Sequence, residues 1–383
     1  MEIARLFEIR GRNAYVPLLY DELEQLGLAS ATDARFDFRG LWQSRRRVAC
    51  LQFGWGPDDH YLWRRRDGRP RGMLSLLRLG LFGARLFAAR ALGYRIAWTI
   101  HEVYTPHSRV SRRFDRLAGR LLARGSHVLV AHDPAVAEQA RRELGAHAMK
   151  IQVIPHGSYV GVYPAGQDRG AVREELGIAP DAFVFLCFGT VRIDKDIVLL
   201  LEAFQTLPRR NAVLIIAGQV RHGEVGARIA EAAAADSRIR WRPGFVRNEC
   251  VAELFGAADA AVLARSETWT SASLILALSL GVPVVAARIG SHEELLGEER
   301  AGWLFEPGDV ESLRDALERA VGGAALARVK GEAAVAQAAR LPPWSEVAER
   351  MAGVMWTAAG ESVEGHSARS PAGRASHHGD GLS

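Results

Sequence analysis

The chain has 383 residues, of which 48% are hydrophobic and 24% are charged, and it carries a formal net charge of +5 with a pI near 9.4. This composition excludes a largely disordered chain, and the length is sufficient for two domains of ordinary size. The positive charge comes almost entirely from arginine, and no motif of interleaved aromatic and basic residues accompanies it. We therefore expect no nucleic-acid partner.

The cysteines and the amino-terminal segment indicate a cytoplasmic protein. Cys50, Cys187 and Cys250 are widely spaced and follow no disulfide or metal-binding pattern, which is typical of the reducing cytosol. Residues 1–10 form a short, charged segment, so no secretory signal is predicted. No apolar run is expected to reach the roughly 18 residues that a membrane-spanning helix needs.

The first part of the chain alternates predicted strands and helices. A strand is predicted over residues 3–9, an amphipathic helix over 15–26, and a second strand over 48–55. The second strand is followed by a polar loop that contains Asp58 and Asp59. Paired aspartates can bind a divalent ion, but this pair lies in an early loop of a chain that is patterned otherwise, so we predict no metal site.

Residues 63–95 form an unusual basic and apolar segment. Leucines recur at roughly helical spacing, and arginines lie between them. A basic amphipathic helix of this kind can lie on an anionic membrane surface. It can equally be a crossover helix that packs on the sheet, with arginine stems covering apolar surface. The sequence leaves both interpretations open.

A polar cluster follows the strand predicted over residues 95–100. His101 and Glu102 come directly after it, where the carboxyl end of a parallel strand borders a binding site. Either side chain could act as a general base or hold a sugar or acceptor, although a histidine here can also be a satisfied loop residue. Another buried strand is predicted over 127–131 and a helix over 134–144.

The second half of the chain opens with a central parallel strand over residues 183–189, an uninterrupted apolar run that ends at Gly189. The loop after it contains Arg192 and Lys195, one of only three lysines in the chain. An arginine offers bidentate donors to a phosphate and a lysine offers a point charge. We interpret the pair as an anion clamp; the alternative is a solvated loop pair.

The segment 260–287 predicts a strand, a polar loop, a helix from residue 274 to 280, and a second strand. A unit of this type presents helix amino-terminal N–H groups beyond the carboxyl end of a strand, where open α/β sheets bind anions. Thr270, Ser271 and Ser273 would add hydroxyl donors for a diphosphate. The alternative is ordinary N-capping by serine or threonine.

The remaining predicted elements complete a two-domain chain. Strands are predicted over 212–220 and 239–246, and helices over 251–258, 310–321 and 344–356. These patterns predict an amino-terminal domain over residues 1–170 and a carboxyl-terminal domain over 171–342. They also predict a last helix over 343–357 and a disordered tail over 358–383.

Several of these motifs resemble one family. The run SASLILALSLGVPVVA resembles the nucleotide-sugar loop of the GT-B glycosyltransferases, in their broad family-4-like group. WTIHEVYTPH is similar to an element of the bacterial exopolysaccharide branch, which includes the xanthan-type β-mannosyltransferases. Residues 189–195 resemble that group's G-x-x-R-x-x-K loop. Leu276 stands where the larger group has a second glutamate.

The resemblance implies an α/β GT-B fold, with two doubly wound Rossmann-like domains facing across a cleft and a last helix, over 343–357, that returns to the first domain. It implies that the diphosphate of a nucleotide-sugar is held by the Arg192 loop, and that Glu267 hydrogen-bonds the donor sugar. The loop of Gly244, Phe245 and Val246 would face the nucleotide base. It further implies a metal-independent enzyme without a cofactor, whose co-substrate is a nucleoside diphosphate sugar.

The function that follows is sugar transfer to a glycan, glycolipid or small-molecule acceptor, in cell-surface polysaccharide synthesis. A cytoplasmic protein with peripheral contact to the inner face of the plasma membrane through residues 63–95 fits a lipid-linked acceptor. Two alternatives remain at this stage: a sugar-nucleotide epimerase of the same architecture, and a catalytically degenerate partner subunit of a glycan assembly complex.

Overall fold

The computed structural model describes residues 2–6, 14–31, 34–54, 56–63, 72–101, 111–145, 150–164, 169–208, 211–266 and 271–359. Within these ranges the chain forms two parallel sheets of six strands each. Counting strands in chain order, the second sheet has the order 3-2-1-4-5-6 of a doubly wound fold, and the first has the order 2-1-3-4-5-6, which begins like the other common doubly wound order.

The first sheet has the order β2-β1-β3-β4-β5-β6. Its strands are β1 (Glu2–Arg5), β2 (Ala29–Ala31), β3 (Val48–Gly54), β4 (Arg95–Ile100), β5 (Val128–Ala131) and β6 (Ile151–Val153). Its helices are α1 (Tyr15–Gln25), α2 (Phe38–Ser44), α3 (Asp58–Tyr61), α4 (Gly72–Ala91), α5 (Arg112–Gly125) and α6 (Pro134–Leu144).

The second sheet has the order β12-β11-β10-β7-β8-β9. Its strands are β7 (Phe183–Phe188), β8 (Ala212–Gly218), β9 (Ile239–Pro243), β10 (Ala260–Leu263), β11 (Val284–Ala287) and β12 (Gly302–Phe305). The helices are α7 (Arg169–Glu175), α8 (Ile197–Gln205), α9 (Gly223–Ala235), α10 (Val251–Ala257), α11 (Ala272–Ser279), α12 (His292–Leu295), α13 (Val310–Val321), α14 (Ala324–Ala338) and α15 (Trp344–Ala359).

The central strands are apolar throughout because helices cover both faces of each sheet. Every residue of β8 is buried, and the same holds for β5, β11 and β12. A strand that is buried on both faces needs apolar side chains at every position rather than at alternate ones. The continuous apolar runs in the sequence are therefore the central strands of the two sheets.

The last helix, α15, leaves the second sheet and packs against the first. It contacts α1, β3 and β4. Trp344, at its first turn, lies with its ring centroid 5.3 Å from that of Tyr15 on α1. Met351 and Met355 are fully buried in the same core cluster. The amino- and carboxyl-terminal parts of the chain thus share one hydrophobic core.

The structure corrects three sequence-based expectations. Asp58 begins a short helix and is only 5% exposed, where a polar loop was expected. Helix α14 had no predicted counterpart, because its alternating alanines and charged residues lack a clear apolar stripe. Helix α4 is 20 residues long and, by length and composition alone, could cross a membrane, although no run of that kind was expected.

From the sequence, no metal site was predicted at Asp58 and Asp59. Among the residues that the structure describes, no group of three or more His, Cys, Asp or Glu side chains could hold a metal ion. The tail predicted over 358–383 lies almost entirely outside the described residues, which end at Ala359.

The loops after β7 and β8 approach each other so closely that one of them needs a glycine. Gly218 ends β8 with φ +152°, and a Cβ atom there would lie 1.9 Å from the carbonyl oxygen of Gly189. Gly244, after β9, has φ +116° but open space around its Cα. At both positions the positive φ favours glycine. Only at Gly218 would a side-chain Cβ also collide with a neighbouring residue.

We therefore expect Gly218→Ala to destabilise the protein more than Gly244→Ala does. Both variants incur backbone strain on the order of 1–3 kcal/mol, and Gly218→Ala adds a clash that must displace the Gly189 loop. Urea denaturation of the two variants measures the difference. Equal losses of unfolding free energy in both variants would contradict the close approach.

Candidate active site

The candidate site begins at the carboxyl edge of the second sheet, where a glycine ends β8 and glycines directly follow the adjacent strands β7 and β9. The N–H of Gly189 donates to the carbonyl of Ala217 at 2.9 Å, and the N–H of Gly244 donates to the carbonyl of Gly218 at 3.1 Å. These bonds hold the loops after β7, β8 and β9 side by side. The structure thus brings the predicted residues Gly189 and Gly244 together at one edge, with Gly218 between them.

An arginine clamp lies beyond β7 and β10. Asp194 accepts bidentate hydrogen bonds from Arg192, at 3.0 Å from Nε and 2.8 Å from Nη2. The same carboxylate accepts a third bond from Nη2 of Arg265 at 2.9 Å. The Asp194 side chain is 8% exposed, whereas that of Arg192 is 29% exposed. One buried carboxylate therefore orients two guanidinium groups, because a bidentate pair fixes direction as well as distance.

Lys195 completes the positive cluster. Its Nζ donates to the carbonyl of Phe188 at 3.0 Å, which places the ammonium under the Gly189 turn. Burial, together with the charges of Arg265 and Arg192, lowers the pKa of Lys195 to about 8. Three cationic side chains thus face one carboxylate, and this excess of positive charge favours binding of an anion.

A second aspartate anchors the loop that follows β10. Asp196 adopts a left-handed backbone conformation, with φ 47° and ψ 39°. Its Oδ2 accepts a hydrogen bond from the backbone N–H of Ser266 at 2.6 Å and another from the Ser266 hydroxyl. The loop itself therefore satisfies the hydrogen-bonding capacity of this oxygen, and Asp194 is the carboxylate that binds Arg192 and Arg265.

The amino end of α11 carries the predicted hydroxyl residues. Ser271 is 2% exposed and caps the helix, since its Oγ accepts from the N–H of Leu274 at 3.3 Å. Its hydroxyl proton remains able to donate. Ser273 is partly buried in the first turn. Glu267 and Thr270 lie outside the described residues.

The loop after β9 presents an aromatic side chain. Phe245 is 45% exposed, and Val246 packs against the core beside it. This exposure is compatible with the predicted contact to a nucleotide base, because an aromatic face can stack on a base.

The first domain contributes a wall of aromatic rings and imidazoles. His101, at the end of β4, lies with its ring centroid 4.7 Å from Tyr15 and 4.8 Å from His132. His156 lies 5.5 Å from His132 and 5.2 Å from Trp344, centroid to centroid. Strand ends β4, β5 and β6 therefore converge with α1 and α15 on one cluster. Glu102 lies outside the described residues.

Burial keeps these imidazoles neutral. It lowers the pKa of His132 to about 4 and that of His156 to about 3, and it holds the pKa of His101 well below its usual range. Nδ1 of His132 lies 3.1 Å from the carbonyl of Ile154, and a carbonyl can only accept. Nδ1 therefore carries the proton, and Nε2 of His132 presents a buried lone pair with no hydrogen-bond partner in the described part of the chain.

The two domains are joined directly at the base of the cleft. The Asp133 carboxylate, which caps α6, also accepts a hydrogen bond from the side chain of Ser291 in the second domain. The backbone N–H of Tyr159 donates to the hydroxyl of Ser279 at 3.0 Å. These contacts join the first domain, which carries the imidazole wall, directly to the second domain, which carries the arginine clamp.

Several residues of the clamp edge and of the imidazole wall were not predicted from the sequence. Asp194, Arg265 and Gly218 belong to the clamp edge, and His132 and His156 belong to the imidazole wall, yet none was predicted. Asp194 lies within the loop that was singled out, so its position was the one available signal. The other four reach the site through strand ends that are distant in the sequence.

Two family models match adjoining parts of the chain. Residues 168–336 match the model of the glycosyl transferases group 1, and residues 77–158 match that of glycosyltransferase family 4. The two matches together take in more than half of the chain; the first contains all six strands of the second sheet, and the second contains β4, β5 and β6 of the first sheet.

Curated relatives carry related names. The chain is 24% identical to a D-inositol 3-phosphate glycosyltransferase of Corynebacterium urealyticum, over 73% of this chain and 72% of the relative. It is 32% identical to D-inositol 3-phosphate glycosyltransferase 2 of Catenulispora acidiphila, over 59% and 55%. It is 26% identical to the UDP-Gal:alpha-D-GlcNAc-diphosphoundecaprenol alpha-1,3-galactosyltransferase of Escherichia coli, over 46% and 47%. The matches to the last two relatives span about half of their length.

Solved structures share the fold at low sequence identity. HepE from Anabaena, crystallised with UDP and glucose, superposes with a TM-score of 0.71 at 17% identity, over 93% of this chain and 100% of HepE. WaaG, a glycosyltransferase involved in lipopolysaccharide biosynthesis, superposes with a TM-score of 0.65 at 16% identity, over 93% and 99%.

The fold is therefore GT-B, the class of two facing doubly wound domains that the sequence predicted. The chain belongs to the GT-B glycosyltransferases, with a group 1 domain preceded by a family-4-like domain, and it is a transferase enzyme. The narrower resemblance to the xanthan-type branch stays a prediction.

We expect the imidazole wall to make the protein acid-sensitive. His132 has a folded pKa of about 4 and an ordinary pKa near 6.5 when unfolded, so the unfolded state binds more protons between these values. The contribution of neutral His132 to the free energy of unfolding is fully present above pH 6.5. It falls by up to about 1.4 kcal/mol per pH unit as the pH drops toward 4.

His132→Asn removes this titration and should reduce the loss of unfolding free energy between pH 7 and pH 5. Urea denaturation at the two pH values measures the loss. Val136→Ala is the control, because it shortens a buried side chain of the same domain without a titrating group and should lower stability equally at both pH values. An unchanged pH dependence in His132→Asn would contradict a buried neutral imidazole.

Proposed function

We propose that this enzyme transfers a sugar from a nucleoside diphosphate sugar to a glycan, glycolipid or small-molecule acceptor, in cell-surface polysaccharide synthesis. The observation that carries the proposal is the cluster of Arg192, Lys195 and Arg265 around the single carboxylate of Asp194. A nucleotide diphosphate supplies the negative charge that this cluster lacks.

The names of similar proteins support a uridine nucleotide as the first donor to test. HepE is described in complex with UDP and with UDP-glucose, and the Escherichia coli relative is named as an enzyme that uses UDP-Gal. In this chain the diphosphate would lie between the Arg192 clamp and the amino end of α11, and Phe245 would face the base.

The proposed chemistry is electrostatic. As the bond between the sugar and the diphosphate breaks, negative charge builds on the leaving oxygen. Arg192, Arg265 and Lys195 stabilise that charge without moving, because Asp194 and the Phe188 carbonyl already hold them in place. We propose that this arrangement replaces a divalent metal and that no cofactor takes part.

The acceptor side of the cleft is assigned to the imidazole wall. His101 is partly buried, and its lowered pKa keeps it neutral at physiological pH, so its imidazole can accept a proton from the acceptor hydroxyl if the reaction inverts. If the reaction retains configuration, the donor phosphate takes that proton and His101 positions the sugar. The rings of Tyr15, His132 and Trp344 exclude water from this side, which would otherwise accept the sugar.

We also propose a location. The chain would work in the cytoplasm, peripheral to the inner face of the plasma membrane, with residues 63–95 in contact with the bilayer. A lipid-linked acceptor would then be presented at the membrane surface. The exposed side chains of α4 support this location.

Binding of a nucleotide should stabilise the protein without metal. We expect UDP to raise the thermal unfolding temperature in the absence and presence of magnesium, because binding to the folded state alone stabilises it in proportion to RT ln(1 + [L]/Kd). Arg192→Ala should abolish the shift. His101→Ala should retain it and lose transfer activity, since His101 lies on the acceptor side.

A shift that requires magnesium would contradict the metal-independent mechanism. No shift with any member of a panel of nucleoside diphosphates and their sugars would favour the degenerate partner subunit. A shift without a detectable acceptor, accompanied by interconversion of the sugar, would favour the epimerase.

Donor affinity should weaken at alkaline pH. The free enzyme has a Lys195 pKa of about 8, and a bound diphosphate would raise it, so the complex holds a proton that the free enzyme loses. The Kd for UDP should therefore increase above pH 8, by up to about tenfold per pH unit. Calorimetric titrations between pH 7 and pH 9.5 measure this dependence. Lys195→Arg should flatten the profile, because arginine does not titrate in this range; an equally steep profile in that variant would contradict the assignment.

A further inference from the structure

One face of the first domain leaves large apolar side chains in solvent. On α4 they are Met73, Leu76, Leu77, Leu81 and Phe87, and Phe87 and Met73 are 77% and 74% exposed. Between Met73 and Phe87 the exposed positions of this helix carry no charged residue. Contiguous apolar surface of this kind on a soluble domain marks a contact with a partner or a membrane.

Two neighbouring elements extend this surface. Helix α2 packs against α4 and exposes Phe38 and Trp42, which are 49% and 57% exposed. Helix α5 also packs against α4 and exposes Leu117 at 54%. Trp63, before α4, is 44% exposed. We name the outward surface of α2, α4, α5 and Trp63 the three-helix face.

The three-helix face is strongly cationic. Helix α2 carries one arginine, α4 three and α5 five, and together they carry a single acidic residue, Asp115, which is buried. Their arginines are Arg39, Arg78, Arg85, Arg90, Arg112, Arg113, Arg116, Arg120 and Arg124. Apolar side chains flanked by arginine, with exposed tryptophan beside them, match the boundary between headgroups and acyl chains of an anionic bilayer.

Packing shows how α4 can engage a bilayer. Its opposite side, formed by Ser75, Leu79, Phe82, Leu86 and Ala89, is buried. The four apolar members belong to the core of the first domain, so a membrane-spanning α4 would have to withdraw them from that core. The helix therefore lies parallel to a surface rather than across it, although its length would suffice to cross.

The direction of α4 relates this surface to the cleft. The helix connects the parallel strands β3 and β4, so it runs antiparallel to them. Its amino end, with Met73, consequently lies toward the carboxyl edge of the first sheet, where His101 ends β4. The basic end at Arg90 lies toward the opposite edge, where Arg90 donates to the carbonyl of Gly125.

We propose that the three-helix face docks on an anionic phospholipid bilayer, with exposed α4 residues inserted among the headgroups and the arginines of α5 paired with lipid phosphates. The proposal rests on the peripheral location proposed above and gives it a defined contact surface that includes α2 and α5. Docking in this orientation turns the acceptor side of the cleft toward the lipid, where a lipid-linked acceptor enters without leaving the membrane.

The test is co-sedimentation of the full chain with vesicles. We expect binding to vesicles of equal parts phosphatidylcholine and phosphatidylglycerol, and at least tenfold weaker binding to phosphatidylcholine alone. Leu77→Gln with Phe87→Gln should lower binding at least tenfold. Arg113→Gln with Arg124→Gln should also lower it and should reduce its sensitivity to salt.

Matched controls separate surface chemistry from misfolding. Leu326→Gln with Val329→Gln removes exposed apolar residues from α14 of the second domain, and these changes should leave vesicle binding intact. Each variant should keep the UDP-induced thermal shift of the unmodified protein. That readout also separates failure of the lipid proposal from failure of the donor proposal.

Three outcomes would overturn the proposal. The first is equal binding to neutral and anionic vesicles. The second is loss of binding in the α14 control but not in the α4 variant. The third is a dimer in solution that the α4 variant converts to a monomer, with no binding of the unmodified chain to anionic vesicles, since the three-helix face would then be an interface between two copies.

Discussion

The candidate active site depends on how its positive charge is held in place. Three cationic side chains that share a small volume repel one another, and Asp194 offsets that repulsion by binding Arg192 and Arg265 at once. Since Asp194 neutralises only part of the cluster, the site stays both ordered and positively charged. A site of this kind loses little conformational entropy when an anion arrives, because the donors already point in fixed directions.

The first domain differs from the second, because the ionisable side chains of its imidazole wall are held uncharged. Burial among Tyr15, Trp344 and neighbouring imidazoles disfavours a proton on His101, His132 or His156. The two walls of the cleft therefore differ in kind: one is charged and hydrogen-bonded, and the other is neutral and aromatic. This division matches a transfer in which a diphosphate leaves on one side and a hydroxyl group approaches from the other.

The sequence predicted the two-domain fold and much of its element order, because parallel strands buried on both faces leave long apolar runs between helices. The runs at Phe183 and Ala212 became β7 and β8, and the predicted helices at 134–144 and 310–321 agree with α6 and α13. Helix α14 was missed because its buried face consists mainly of alanine, and the contrast between its two sides is weak.

The sequence predicted the clamp residues only where a single loop contains the whole motif. Arg192 and Lys195 stand in a single loop, whereas Arg265 joins Asp194 from 71 positions along the chain. His132 and His156 follow β5 and β6 in segments that look like ordinary loops until the strands are placed side by side. Long-range pairing of this sort depends on sheet order, which periodicity alone does not provide.

The position of Trp344 has a consequence for how the protein is made. Trp344 forms part of the wall around Tyr15 and His156, yet it belongs to the last helix that the structure describes. A ribosome that has released the whole first domain has therefore not yet supplied one side of its cleft. The imidazole wall is complete only after α15 emerges and packs on α1, so a nascent or truncated chain without α15 lacks the Trp344 ring of that wall.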